Sequence, residues 1–259
     1  MTIAGLDPLP LGVLAVAAVL AGFIDSVAGG GGLVQIPALF GALPQESAAT
    51  LFGTNKFSSV FGTSNAAWRY ARRIRMPWRT TLPAAAAAFS CSYLGAMAVA
   101  RLPPALLRPL ILLLLIGAAA YIYWRRDFGA VHRPQHSGRR EFAYALLVGG
   151  AIGFYDGFFG PATGSFLIFL FIRFFGFDFL HASAAAKVVN VATNLAALAY
   201  FIPHDHLLLP LAVLMASCNV VGSLVGTHLA LRHGSAFVRR AFLLVVGVFI
   251  ARFAYDTFV

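Results

Sequence analysis

Ten apolar segments divide this chain, five before and five after a polar stretch at 125–140. The first five fall near 9–28, 33–42, 47–67, 81–100 and 105–124; the second five fall near 142–160, 164–177, 182–202, 207–230 and 236–258. Several approach or exceed the roughly 20 apolar residues needed to cross a hydrocarbon core about 30 Å thick. Uninterrupted apolar runs do not fit the alternation of a membrane barrel, so the pattern predicts helices. The second segment of each half is too short to span comfortably. It follows a breaker, Gly29-Gly30-Gly31-Gly32 in one half and Gly160-Pro161-Ala162-Thr163-Gly164 in the other. Such breakers predict bends at membrane depth, where irregular backbone needs a cavity lined by protein or water. The expected fold class is an all-α polytopic membrane protein with inverted-topology repeats and eight to ten hydrophobic helices, some broken or re-entrant. Its divisions are a first repeat at 1–124, a basic linker at 125–140 and a second repeat at 141–259.

The repeat is visible in register. Gly22-Phe23-Ile24-Asp25 followed by Gly29 recurs as Gly153-Phe154-Tyr155-Asp156 followed by Gly160, at a constant offset of 131 (156 − 25). Lys56 and Lys187 are the two lysines of the chain, and each follows its aspartate by 31 residues (56 − 25, 187 − 156). A charge at the bilayer centre costs roughly 3 kcal/mol or more, which makes an intramembrane ion a functional candidate by default.

Composition agrees with a membrane class: 60% of the 259 residues are hydrophobic, 11% are charged, and the mean hydropathy is +0.82. No basic region precedes the first apolar segment, which argues against a cleaved secretory signal. The net charge of +10 arises largely from arginines in short loops beside apolar segments, so it reads as topology rather than nucleic-acid binding. By the positive-inside rule the loops 69–79, 125–140 and 232–240 are expected to be cytoplasmic, in a multi-pass protein of the cell inner membrane. The third segment of the first half ends at a basic loop, whereas its counterpart ends at Ile202-Pro203-His204-Asp205-His206. The halves are therefore expected to run in opposite directions, a recurrent design of secondary transporters. Cys91 and Cys218 form neither a disulfide framework nor a metal-ligand pattern, and no metal or cofactor is expected.

The candidate site gathers around the lysines and the glycine turns. Asn55 precedes Lys56, and Asn190 and Asn194 follow Lys187 at i+3 and i+7, so amide donors accompany each cation. Gly30, Gly31 and Gly32 let the backbone turn and present N–H groups, Gln35 follows one turn later, and Thr163 and Ser165 add hydroxyls in the second copy. The N-terminus of the short helix after each turn favours an anion. The rival reading is structural: Lys56 pairs with Asp25 and Lys187 with Asp156, because buried charges are normally paired. The two readings are compatible if Asp25 or Asp156 takes a proton when substrate displaces it. His204 and His206 flank Asp205 in a loop and are not read as a metal site.

The blocks from Gly22 to Asn65 and from Gly153 to Asn194 resemble the TauE/SafE family, within the toluene-sulfonate uptake permease superfamily. The residues that carry the resemblance are Gly22 to Gly32 leading to Ile36-Pro37, then Ala49-Thr50 with Thr54-Asn55, and the second block from Gly153 to Gly164. The second copy departs from the family's glycine-rich turn at Phe159-Gly160-Pro161-Ala162-Thr163-Gly164. The resemblance implies transport of a small sulfur-containing anion such as sulfite, sulfoacetate, another organosulfonate or thiosulfate. With the paired cations, it leads to the expectation of a secondary transporter, an exporter, binding its anion near the midplane and open to proton coupling. The expected partners are that anion and the lipid bilayer, with a homo-oligomer left open. An anion channel using the same cations, and a membrane enzyme with a cysteine nucleophile, are the alternatives. Replacing Cys91 and Cys218 together with alanine is expected to leave substrate flux within about twofold of wild type; abolished flux would favour the enzyme.

Overall fold

The computed structural model describes residues 8–98, 129, 132, 133, 135 and 137–258, without side chains at 246 and 249–258. Among these residues there are eight α-helices and no strand. In chain order they are α1 (Pro8–Ala28), α2 (Gly32–Ala42), α3 (Ala48–Ala71), α4 (Trp78–Ala98), α5 (Gly138–Phe158), α6 (Thr163–Phe175), α7 (Phe179–Phe201) and α8 (Leu209–Phe258). The segment expected at 105–124 lies outside the described residues, as does most of the linker. α5 begins at Gly138, so the last residues assigned to the linker already form its first turn. The segments expected at 207–230 and 236–258 are two arms of α8 that meet at Gly234, whose φ of 68° and ψ of −164° break the helix. That conformation is essentially confined to glycine.

The protein is all-helical and built for a membrane. α1, α4, Phe179–His204 and Leu209–Val245 are each long and apolar enough to cross a bilayer, while α2 and α6 are shorter apolar helices. The usual burial order is inverted: Leu9 is 79% and Leu147 67% exposed, whereas Lys187 is 0% exposed. Outward leucines on α1 and α5 suit lipid, which has no use for a polar coat. α3 has the length to span but keeps Thr54, Asn55, Lys56, Ser58 and Thr63 on its buried surface.

Equivalent elements of the two halves make equivalent contacts. α4 packs along α5 as α8 packs along α1; α3 lies on α8 as α7 lies on α4; and α3 meets α7 between them. Small residues allow the close approach, as in other membrane bundles. Gly149, Gly153 and Gly157 on α5 face the backbone at Ala84, Ala88 and Ser92 on α4, and Gly22 on α1 faces Asn219 on α8 in the same manner. The Ser92 hydroxyl donates to the Thr193 carbonyl at 2.9 Å, and the Ser223 hydroxyl donates to the Gly62 carbonyl at 2.6 Å. Both partners in that second bond sit 131 residues from those in the first (223 − 92, 193 − 62). The helix starts correspond too: Ser47 caps α3 by accepting from the Thr50 N–H, and Asp178 caps α7 by accepting from the His181 N–H.

A methyl group on Gly153 would fall 2.5 Å from Ala88 backbone atoms, whereas one on Gly41 meets nothing within 4 Å. Overpacking costs about 1–3 kcal/mol, or roughly 2–12 °C in Tm for a chain of this size. Gly153→Ala is therefore expected to melt below wild type when detergent-solubilised protein is heated and its folded fraction recovered. Gly41→Ala is expected to melt at or slightly above wild type; equal melting of the two variants would contradict the close α4–α5 packing.

Candidate functional site

Four ions converge from four helices, Lys56, Lys187 and Asp156 buried and Asp25 partly so. Asp25 and Asp156 lie near the ends of α1 and α5, and Lys56 and Lys187 lie within α3 and α7. Lys56 Nζ is 2.6 Å from Asp156 Oδ2, and Lys187 Nζ is 3.1 Å from Asp25 Oδ2. The pairs are crossed, which corrects the expectation that each lysine would take the aspartate of its own repeat. The reason is packing: α3 and α7 meet face to face, and the glycine turns interlock between them, so each lysine reaches across to the other half. A Cβ on Gly29 would lie 2.2 Å from the Gly164 carbonyl carbon, and the Ser165 N–H donates to the Gly29 carbonyl at 3.0 Å. Gly29 and Gly160 have φ of 79° and 89°, and a Cβ on Gly160 would come 3.2 Å from Lys56 Nζ. Glycine is required there for conformation and for space.

Each carboxylate also takes a threonine hydroxyl. Thr63 donates to Asp25 Oδ2 at 3.0 Å, and Thr163 donates to Asp156 Oδ1 at 2.6 Å and to the Gly160 carbonyl at 2.8 Å. Two lysines and two aspartates balance in charge, which makes their burial tolerable. A cavity of about 20 Å³ lies among Asp25, Gly29, Gly32, Asn55, Lys56, Ser59, Asp156, Gly160, Thr163, Gly164, Asn190 and Asn194. That is room for about one water molecule and too little for an oxyanion of four or more heavy atoms. Two amide atoms on this lining, Asn55 Oδ1 and Asn194 Nδ2, are buried with no hydrogen-bond partner among the described residues. Unpartnered buried amides are costly and rare, and here both border the same small space.

Most of the candidates from sequence meet here, and some do not. Lys56, Asn55, Asn190, Asn194, Gly32 and Thr163 line the cavity together with both aspartates. Ser165 does not line it; its hydroxyl donates to the Ala28 carbonyl at 2.8 Å and so fastens α6 to the end of α1. Gly30 and Gly31 are absent from the lining, and a Cβ on Gly31 would run into Ala21 and Asp25. Gln35 is buried away from the ions, where its Oε1 accepts from Asn219 Nδ2 at 3.1 Å. Lys187 reaches the site through Asp25 rather than through the cavity wall. Ser59, Thr63 and the glycines at 29, 160 and 164 were missed. The offset of 131 marks four of them: Gly29 corresponds to Gly160, Ser59 to Asn190 and Thr63 to Asn194. Cys91 and Cys218 are both free and partly exposed, and neither borders the cavity.

At one end of the bundle, His132, Asp178 and His181 place potential ligand atoms within 4.8 Å of one another. The carboxylate is already engaged as the α7 cap. Burial by itself would raise the Asp178 pKa, but hydrogen bonds from the His181 ring and backbone N–H, with the charges of His181 and His132, hold it below the ordinary carboxylate value. The cap is thus in place above the normal carboxylate range and is lost as pH falls through the lowered value.

Interlocked helix breaks around balanced ions in an all-helical membrane bundle have the build of a membrane transporter. The chain belongs to the sulfite exporter TauE/SafE family, whose model matches residues 14–253. Its relatives include a protein of Escherichia coli K12 named probable membrane transporter protein YfcA, 36% identical over 97% of this chain and 92% of the relative. The probable membrane transporter protein ORF9 of Sinorhizobium is 36% identical over 91% of this chain and 88% of its own length. A probable membrane transporter protein of Haemophilus influenzae is 29% identical over 95% of both chains. No solved structure matches this chain.

The crossed pairing is tested by double-mutant cycles on thermal stability with Lys56→Met, Asp156→Asn and Asp25→Asn. Breaking one partner of a buried pair is expected to cost about 3–5 kcal/mol. The Lys56/Asp156 coupling should exceed the Lys56/Asp25 coupling by on the order of 1 kcal/mol. The reverse order would restore pairing within each repeat.

Proposed function

We propose that this membrane transporter carries a small sulfur oxyanion, sulfite or an organosulfonate, between its two halves, with Lys56 and Lys187 as the charge partners of the anion. The observation that carries the reading is the pair of unpartnered amide atoms on a cavity bordered by buried ions. A site with excess hydrogen-bonding capacity at its centre suits a guest that supplies the missing partners. Asn194 Nδ2 is a donor for an anion oxygen, and Asn55 turned about its side-chain amide offers another. Gly29, Gly32, Gly160 and Gly164 keep the walls free of side chains, so backbone can approach the guest.

In the contracted state the aspartates occupy the lysines. A singly charged anion, such as hydrogen sulfite or a monoanionic sulfonate, enters by replacing a carboxylate at a lysine, and the site then holds one negative charge too many. A proton on Asp25 or Asp156 restores the balance, and the threonine hydroxyls beside each carboxylate remain as acceptors for that proton. Anion movement is in this way linked to proton movement. The arginine-rich segments at 69–79, 125–140 and 232–240 face the cytoplasm by the positive-inside rule; 232–240, expected as a loop, is helical and lies across the break at Gly234 in α8, where the apolar run is interrupted without leaving the helix. From that side a negative-inside potential favours expulsion of an anion by about 2.3 kcal/mol per charge per 100 mV. Gly30, Gly31, Gln35 and Ser165 support the site as framework in this reading.

Proteoliposomes holding the purified protein test this directly. Sulfite flux is expected to saturate and to exceed sulfate flux, to fall at least tenfold in Lys56→Met and Lys187→Met, and to respond to an imposed pH gradient. In Asp25→Asn or Asp156→Asn the response to the pH gradient is expected to weaken more than flux itself. Flux indifferent to both lysines would return all four ions to a structural role.

A further inference from the structure

A second basic cavity opens at the end of the bundle where α3 finishes, α7 begins and α8 approaches its break at Gly234. It holds about 700 Å³ and is lined by Trp68, Arg69, Arg72, Arg73, Ile74, Leu180, His228, Leu231 and Arg232. Four guanidinium groups thus share one space, and among the described residues no carboxylate forms an ion pair with any of them. The nearest acid along α7, Asp178, is engaged with His181. Arg69 is committed in part, donating to the Leu224 carbonyl at 2.9 Å, and Arg72 stacks 4.9 Å from the Trp68 ring. The side chains of Arg73, in the turn after α3, and of Arg232, on α8, make no hydrogen bond, ion pair or ring contact with another described residue. Planar guanidinium forks on facing walls suit the oxygens of a sulfonate, sulfite or phosphate group.

The position of this cavity connects it with the buried ions. Leu180 on its wall stands seven residues before Lys187, about 10 Å along α7 and on the same face. On α3 the face that carries Lys56 continues through Ser59, Thr63 and Ala66 to Tyr70, in steps of three and four residues, and Arg73 follows in the turn beyond the helix end at Ala71. Tyr70 is 0% exposed, and its hydroxyl donates at 3.0 Å to the carbonyl of Ser26, the residue after Asp25. This bond ties the end of α3, beside Arg72 and Arg73, to the backbone next to Asp25.

We propose that the arginine cavity is a second oxyanion site in series with the lysine pairs, and that Tyr70 is the barrier between the two. The anion rests first on Arg73 and Arg232 and passes inward when the Tyr70 hydroxyl leaves Ser26. This extends the transport reading, but the binding it predicts does not depend on the lysines. A lipid headgroup carries the same chemistry as a free oxyanion, so the test must separate the two sources.

Trp68 reports on the cavity once Trp78 and Trp124 are replaced with phenylalanine. In neutral detergent at constant ionic strength, sulfoacetate is expected to change Trp68 fluorescence saturably against a chloride control. The apparent Kd is expected to rise at least tenfold in Arg73→Gln/Arg232→Gln. It should stay within twofold in Arg79→Gln/Arg140→Gln, which removes the same charge elsewhere, and also in Lys56→Met. Tyr70→Phe is expected to leave this binding intact while altering proteoliposome flux at least threefold. Absence of saturation, or equal effects of the two arginine pairs, would overturn the site. A response to short-chain phosphatidylglycerol but not to sulfoacetate would assign the cavity to lipid and overturn its place in series. Binding retained in Lys56→Met alongside flux indifferent to the lysines would sink the transport reading and leave the second site standing.

Discussion

Four charges at the centre of the bundle must balance, and the rest of it is arranged so that they can. Neither lysine has an acid of its own repeat as its nearest partner; neutrality exists because the halves are pressed together. Docking the repeats is therefore an electrostatic requirement as well as a packing preference. A half on its own would carry an unpaired lysine and an unpaired aspartate into an apolar medium, at a cost of several kcal/mol for each ion. The crossed pairs tie the two halves together at one point, while small-residue packing joins them along the helices.

The same arrangement explains how the centre can be both held and changeable. Lys–Asp contacts, threonine hydroxyls and interlocked glycines define a contracted state with room for about one water. In the proposed transport cycle the aspartates are the exchangeable part, because an anion and a proton together can take over what each carboxylate provides. Ser165 and the small-residue seams of α1 with α8 and α4 with α5 are not exchangeable, being backbone against backbone. A rigid frame thus surrounds the ion pairs at the centre of the bundle. The arginine cavity adds a second store of positive charge at the mouth, within a few helical turns of the first.

The two repeats have diverged without losing this frame. The first turn is four successive glycines, whereas the second contains proline and a left-handed Ala162 at φ 64°, a strained conformation for a residue with a Cβ. Asparagine has been traded between positions: Asn55 corresponds to Ala186, and Ser59 and Thr63 correspond to Asn190 and Asn194. The amides consequently come from different levels of α3 and α7 and give an asymmetric lining to a centre whose ions are symmetric. Gln35 and Asn219 have no polar counterparts at Phe166 and Ala88, and their bond serves the first half alone.

The apolar pattern alone determined the helical membrane class, the positions of the described helices, the breaks after Gly29 and Gly160, and the duplication, because the cost of polar backbone and charge in lipid leaves few other solutions. It also singled out both lysines and both aspartates, since an ion in an apolar run stands out by its type. What it could not determine was the pairing. An offset of 31 residues is the same whether a lysine meets its own aspartate or its neighbour's, and only the interlocked turns decide between them. The roles of Ser165 and Gln35 were likewise decided in three dimensions, where a hydroxyl or amide near the site can serve a backbone carbonyl or another amide instead. Ser59 and Thr63 were marked in the sequence by their offset from Asn190 and Asn194, but only the fold showed that Ser59 lines the cavity and Thr63 donates to Asp25.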